Sequence, residues 1–297
     1  MASLQAMGAR VYLPGGGEDL DWGVLAGYEE QKRAIEDCLL LPLQHPELYS
    51  RIAERTRDGG AGSRPRAVLF EGPPGTGKTT SARVLSSQVA VPLIYVPLES
   101  LLSKWYGESE ANLAKVFKAA RAMGGCMLFL DELDAFASSR DRQLHEVSRR
   151  LLSVLLREID GFEAGPSIVI GATNRSRDLD AALLSRFSLS LTFDLPTEPC
   201  RAAILGRYAR QLSGDARGRL AAGTPGFSGR DLRETCEQAE RRWASKIIRG
   251  LAPPDSLPPL DEYLAAAQER AAAKDRDPGD GGDGEWAPGR GGGSVLL

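Results

Sequence analysis

The segment Gly72-Pro73-Pro74-Gly75-Thr76-Gly77-Lys78-Thr79 most limits what this chain can become. It fits the spacing GxxxxGK[ST]. It follows the apolar run Val68-Leu69-Phe70 and opens the helical pattern Thr79–Val89. A strand that turns through a glycine-rich loop into a helix is the setting in which this spacing makes a phosphate-binding loop. Glycines let the backbone bend until successive N–H groups point inward at phosphate oxygens. The start of the helix adds the positive end of its dipole. Lys78 supplies a point charge for the β- and γ-phosphates, and the Thr79 hydroxyl is a ligand for Mg²⁺. The plainer alternative is a Gly/Pro loop with an incidental lysine, and a full match in this setting weighs against it. Gly72, Pro73, Pro74, Gly75, Thr76, Gly77, Lys78, Thr79 and Thr80 are therefore expected to bind the nucleotide, ATP with Mg²⁺.

The rest of the pattern fits an α/β fold. Arg66–Phe70, Pro92–Pro97, Cys126–Asp131, Ser167–Ala172 and Leu189–Asp194 are short apolar runs bounded by turn residues, and they read as buried strands. Helical patterns lie between them at Thr79–Val89, Ser109–Met123 and Arg142–Ile159, so the sheet is expected to be mostly parallel and covered on both faces. An earlier helix is expected over Tyr28–Leu41, halted by Pro42. After Pro196 the strand pattern stops, and Glu198–Leu212 and Gly229–Arg249 read as helices. Ser228 with Asp231 three residues on predicts a capping box. Leu232, Cys236, Ala239, Trp243 and Ile247 then share one face. The expected division is a flexible lead-in over 1–20, a nucleotide-binding α/β domain over 21–195, a helical lid over 196–271 and a disordered Gly-rich tail over 272–297.

Met127-Leu128-Phe129-Leu130-Asp131-Glu132 is an apolar strand ending in two carboxylates, a costly arrangement without a cation or a proton to manage. Beside a phosphate loop, Asp131 is expected to hold the Mg²⁺ shell through water, and Glu132 to orient and activate an attacking water. The competing reading makes Asp131 a helix N-cap, which leaves Glu132 without a task. Other chemistries are poorly supported. Cys38, Cys126, Cys200 and Cys236 form no CxxC pair, and His45 and His145 are the two histidines. Lys and Arg number 37 against 40 Asp and Glu, a net charge of −3, so nucleic acid is not an expected partner. No apolar run approaches the ~20 residues of a membrane span and no secretory signal opens the chain. An intracellular protein, cytoplasmic or in an organelle matrix, is expected.

Taken together, Glu71–Thr79, Leu130-Asp131-Glu132-Leu133-Asp134 and Gly171-Ala172-Thr173-Asn174-Arg175 resemble the AAA branch of the AAA+ ATPases, over about residues 19–250. The resemblance implies a P-loop αβα sandwich with a five-stranded sheet, a small helical lid and a homo-oligomeric ring, usually hexameric, whose subunits share each ATP site. It makes Asn174 the sensor-1 residue, placing the lytic water. Arg186, in Leu183-Leu184-Ser185-Arg186-Phe187, becomes the arginine finger reaching into the next subunit. The second arginine of that family segment is missing, with Leu189 in its place. Asp160-Gly161-Phe162 resembles the inter-subunit signalling turn, and Ala26-Gly27 a segment near the adenine. Arg230, after Ser228-Gly229, departs from this branch, which has a small residue there. In other branches an arginine at that point is sensor 2, on the γ-phosphate. The alternative is an exposed arginine paired with Asp231 or Glu234.

Lys104-Trp105-Tyr106-Gly107 resembles the pore loop with which polypeptide-threading AAA proteins grip an extended chain. A tryptophan there is shared with the microtubule-severing members katanin and spastin, although severing is not expected from a chain with so little outside the module. His145-Glu146-Val147-Ser148-Arg149 begins like HExxH but has arginine at the second ligand position. The expected function is an ATP-hydrolysing ring that remodels or unfolds protein clients through its pore. The alternative is a nucleotide-switched assembly or adaptor subunit with little turnover.

Overall fold

Five of the short apolar runs become the parallel strands of one sheet. The structure, a computed structural model, describes residues 4–5, 7–15, 20–58, 65–99, 109–136, 142–162 and 167–276, without the side chains of 136, 142–147 and 275–276. Its strands are β1 (Arg10–Tyr12), β2 (Ala67–Glu71), β3 (Leu93–Pro97), β4 (Met127–Asp131), β5 (Ile168–Thr173) and β6 (Leu189–Thr192). They lie in the order β1-β3-β4-β5-β2-β6, and all pairs are parallel except β1 with β3. The chain separates into two compact units. One comprises Met1–Val24, Glu29–Gly72 and Gly77–Phe193; the other comprises Leu25–Tyr28, Pro73–Thr76 and Asp194–Leu297.

In the first unit both faces of the sheet are buried, so the strands are continuously apolar rather than alternating. Val68, Phe70, Met127, Phe129, Ile168 and Ile170 pack on one face with Ile35, Leu39 and Leu85. Leu69, Leu128, Leu130 and Val169 pack on the other with Leu113, Phe117, Leu151 and Leu155. The helices of this unit are α1 (Glu29–Ile35), α2 (Pro46–Thr56), α3 (Lys78–Val89), α4 (Ser109–Ala122) and α5 (Arg142–Asp160), with the short α6 (Ala181–Leu184) after β5.

Three expectations need correction here. Among the described residues the sheet has six strands, not five, because Arg10–Tyr12 pairs antiparallel with β3 through Arg10↔Tyr95 and Val11↔Ile94. Leu4 is also buried, so part of the expected flexible lead-in is packed. A three-residue strand is too short to show periodicity. Pro42 does not halt the first helix. A π-type turn at Glu36–Leu40 follows α1, and a helical turn continues over Leu41–Gln44. Pro42 falls at the start of that turn, where its missing N–H removes little.

The second unit is helical: α7 (Glu198–Tyr208), α8 (Gly214–Ala222), α9 (Gly229–Ile248) and α10 (Leu260–Arg276). The expected capping box is present at the start of α9. The Ser228 hydroxyl accepts from Asp231 N at 3.2 Å, and Asp231 Oδ2 accepts from Ser228 N at 2.9 Å. Leu232, Cys236 and Ala239 are buried, and Trp243 Nε1 donates to Ser256 O at 2.9 Å. Helix α10 runs to Arg276, five residues past the expected end of the lid. Its Arg270 Nη2 and Lys274 Nζ reach Asp231 at 2.6 and 3.0 Å. Buried Arg201 is satisfied by carbonyls, with Nε on Ala221 O and Nη1 on Pro196 O. No helix among the described residues is long and apolar enough to cross a membrane.

Candidate nucleotide site

The loop after β2 is shaped by contacts that exclude a side chain. Gly72 has φ +139°, and a Cβ there would lie 2.1 Å from Phe193 O. Gly75 has φ +78°, and a Cβ would meet Arg230 Cβ at 2.7 Å and Ser228 Oγ at 2.8 Å. Thr76 Oγ1 braces the turn by donating to Pro73 O at 2.8 Å, while Pro74 is exposed. Gly77 is the N-cap of α3 and offers no side-chain acceptor to the first N–H groups of the helix. An open helix start of this kind suits a phosphate. Lys78 is buried at that start. Its Nζ donates to Gly72 O at 2.6 Å and to Asn174 Oδ1 at 2.9 Å. Thr79 and Thr80 follow on the same turn, both half-buried.

The parallel register carries the end of β4 to the same region. Asp131 Oδ2 accepts from Thr79 Oγ1 at 3.4 Å and from Tyr95 OH at 2.9 Å, and Oδ1 accepts from Glu132 N at 3.1 Å. The Thr79 and Tyr95 contacts come from other elements of the fold, so Asp131 is not merely an N-cap of the short 3₁₀ turn Leu133–Phe136. Glu132 stands at φ +60°, a left-handed backbone. Burial pushes its carboxyl above the ordinary value, and the Asp131 and Glu99 carboxylates beside it push the same way. Burial likewise raises the Tyr95 phenol, with Asp131 adding to it, so the tyrosine stays a donor. Asn174 is fixed from behind: Asp134 Oδ1 accepts from Asn174 N at 3.1 Å and from Thr173 Oγ1 at 2.9 Å.

Two arginines complete the described set. Arg186, just past α6, is held by Asp160 at the end of α5, Nε to Oδ1 at 3.0 Å, and Nη1 donates to Ala182 O at 3.3 Å. Arg230 N donates to Gly75 O at 3.2 Å, which ties the first turn of α9 to the middle of the glycine loop within the second unit. The carboxylates named as alternative partners of Arg230 are engaged elsewhere. Arg270 takes Glu234 at 2.6 Å as well as Asp231.

Residues 68–195 match the family described as ATPase family associated with various cellular activities (AAA). The chain carries an AAA domain. It is 34% identical over 227 residues to fidgetin-like protein 1 of Caenorhabditis briggsae, which covers 74% of this chain and 37% of the relative. It is 34% identical over 232 residues to spastin of Drosophila grimshawi, covering 75% of this chain and 28% of the relative. The chain thus spans well under half the length of the curated relatives it matches. The crystal structure of the FIGL-1 AAA domain in complex with ADP superposes with a TM-score of 0.71 at 28% identity, covering 91% of this chain and 92% of that one.

In this AAA domain the structure brings Lys78, Thr79, Asp131 and Asn174 together. Arg186 stands apart from them, on Asp160. Lys104, Trp105, Tyr106 and Gly107 lie outside the described residues, as does the side chain of His145. Tyr95 and Asp134 are the site residues that sequence reasoning missed. Tyr95 was hidden in a run that reads simply as a buried strand. Asp134 lies in the acidic segment already singled out, and its spacing does not say which group it holds.

Proposed function

We propose that this AAA ATPase works as a homo-oligomeric ring, usually of six subunits, that couples ATP hydrolysis to remodelling or unfolding of protein clients. The observation that carries the ATP half of this reading is Lys78 Nζ on Asn174 Oδ1, beside a helix start without a side-chain cap. Gly72 through Thr80 cradle the triphosphate, with Lys78 on the β- and γ-phosphates. Thr79 and Asp131 offer the hard oxygen donors that Mg²⁺ takes alongside nucleotide and water. When bound, Mg²⁺ would neutralise charge on the phosphate oxygens. Glu132 orients a water and accepts its proton as the oxygen attacks the γ-phosphorus. The bond to the β,γ-bridging oxygen breaks, and ADP leaves with that oxygen. Asn174, fixed by Asp134, helps place the water. Arg230, adjacent to Gly75 through its own N–H, is proposed as a further nucleotide-binding residue.

The finger role of Arg186 supports assembly: a transition-state cation acting in trans makes turnover depend on a neighbour. Lys104, Trp105, Tyr106 and Gly107 are proposed to grip the polypeptide, on the strength of the pore-loop resemblance alone. The test is ATPase turnover against protein concentration, with and without an unfolded polypeptide. Specific activity that rises with concentration and again with polypeptide is expected. A ring that binds ATP without turnover would make the chain a nucleotide-switched subunit instead.

A further inference from the structure

Asp131 needs a fixed orientation, and the sheet denies it one from its nearest neighbour. The residue registered beside it on β3 is Pro97, which has neither an N–H nor a polar side chain. The donor comes instead from two residues back on the same face of β3. Tyr95 is registered with Phe129, and their rings stack at 5.9 Å with an interplanar angle of 14°. Lying along Phe129, the tyrosine is long enough for its hydroxyl to reach Asp131 Oδ2 at 2.9 Å.

The other side-chain donor to that oxygen is weaker and has a second use. Thr79 Oγ1 stands 3.4 Å away, at the outer limit of a hydrogen bond, and its oxygen is the one expected to turn to the metal. Once Thr79 turns, the donors left to Asp131 among the described residues are Tyr95 OH and the main-chain N–H of Glu132. The N–H holds Oδ1 and leaves the far oxygen to Tyr95. We propose that Tyr95 is a positioning residue that locks the Asp131 carboxylate in the orientation from which it supports nucleotide-bound Mg²⁺. The proposal rests on the reading of Asp131 given above. A phenol donating to a carboxylate is a charge-assisted bond, so its loss is felt at the metal rather than in the fold.

Tyr95→Phe removes the hydroxyl and keeps the ring on Phe129. ADP binding is followed by calorimetry in EDTA and then at stepped Mg²⁺, alongside thermal melting. In the wild-type protein Mg²⁺ tightens ADP binding; if it does not, the reading of Asp131 fails and the role of Tyr95 falls with it. In Tyr95→Phe the Mg²⁺ concentration at half-effect rises by about 5- to 20-fold. Metal-free ADP affinity and the melting temperature stay at wild-type values. The KM for Mg·ATP rises with it. A Mg²⁺ midpoint equal to that of wild type overturns the proposal. So does a loss of metal-free affinity that tracks a lowered melting temperature, since the phenol would then be a packing group.

Discussion

The guanidinium of Arg186 embraces the carboxylate of Asp160, with Nε to Oδ1 at 3.0 Å and Nη2 to Oδ2 at 3.1 Å. Both residues carry roles implied by the family resemblance, finger and signalling turn. In this structure each occupies the other. A finger held on its own subunit is available to a neighbour only when that contact is exchanged. The pair is partly exposed, so exchanging it costs little.

Arg186→Ala should therefore bind ATP almost as wild type does and hydrolyse it at least about 10³-fold more slowly. Mixed with Glu132→Gln, it should regain part of the lost turnover, because some interfaces then pair an intact finger with an intact base. A steady-state assay across mixing ratios checks this. A strictly linear sum of two inactive proteins speaks against a shared site.

Glu132→Gln keeps the size of the side chain and leaves the contacts of Lys78, Thr79 and Asp131 untouched. Hydrolysis should fall by roughly 10²–10⁴ while nucleotide affinity stays within a few-fold. Single-turnover measurement on pre-bound ATP separates the two quantities. Normal turnover in this variant removes Glu132 from the chemistry.

Lys78→Ala strips a buried cation that donates to both Gly72 O and Asn174 Oδ1. ATP affinity should drop by about 10-fold or more, because the backbone groups of the loop are left to hold the phosphates alone. Calorimetric titration gives the answer. Equal affinities would break the assignment of the loop.

The helical unit makes its own prediction. Burial raises the Asp231 carboxyl, but donors from the Ser228 backbone, Lys274, Arg270 and the Ser228 hydroxyl outweigh it and bring the value down to about 2. A depressed carboxyl stabilises the fold above its unfolded value of about 3.9 and loses that contribution as pH falls towards 2. Asp231→Asn keeps an acceptor for the cap and discards the charge that Arg270 and Lys274 meet. It should cost about 1–2 kcal/mol at pH 7, and the gap from wild type should close on the acid side between pH 4 and 2. Denaturant unfolding at stepped pH measures it. A gap that stays constant to pH 2 contradicts the pairing.

The parallel strands and the glycine loop were legible because each rests on local signals: a short apolar run, turn residues at its ends, and fixed glycine spacing. Asp131 and Asn174 stood at strand ends, where their meeting with Thr79 and Lys78 respectively follows from parallel order. What stayed hidden depends on partners far along the chain. Arg10–Tyr12 becomes a strand only because β3 offers it an edge. Helix α10 is built on Tyr263, Ala266 and Ala267, and a face made largely of alanine gives weak periodicity. Whether Arg230 pairs with Asp231 was open on helix spacing alone. It was decided by Arg270, which lies 39 residues further on. The reach of Tyr95 to Asp131 depends on strand register and ring stacking, which no spacing rule encodes.

The left-handed backbone at Glu132 has a consequence for how this protein tolerates change. An L-residue in that region gives up about 1–2 kcal/mol that glycine would not. The position that supplies the proposed base is thus held below its best attainable stability. Selection for thermal robustness alone, blind to turnover, would favour glycine there and yield a sturdier protein that still captures nucleotide and no longer spends it.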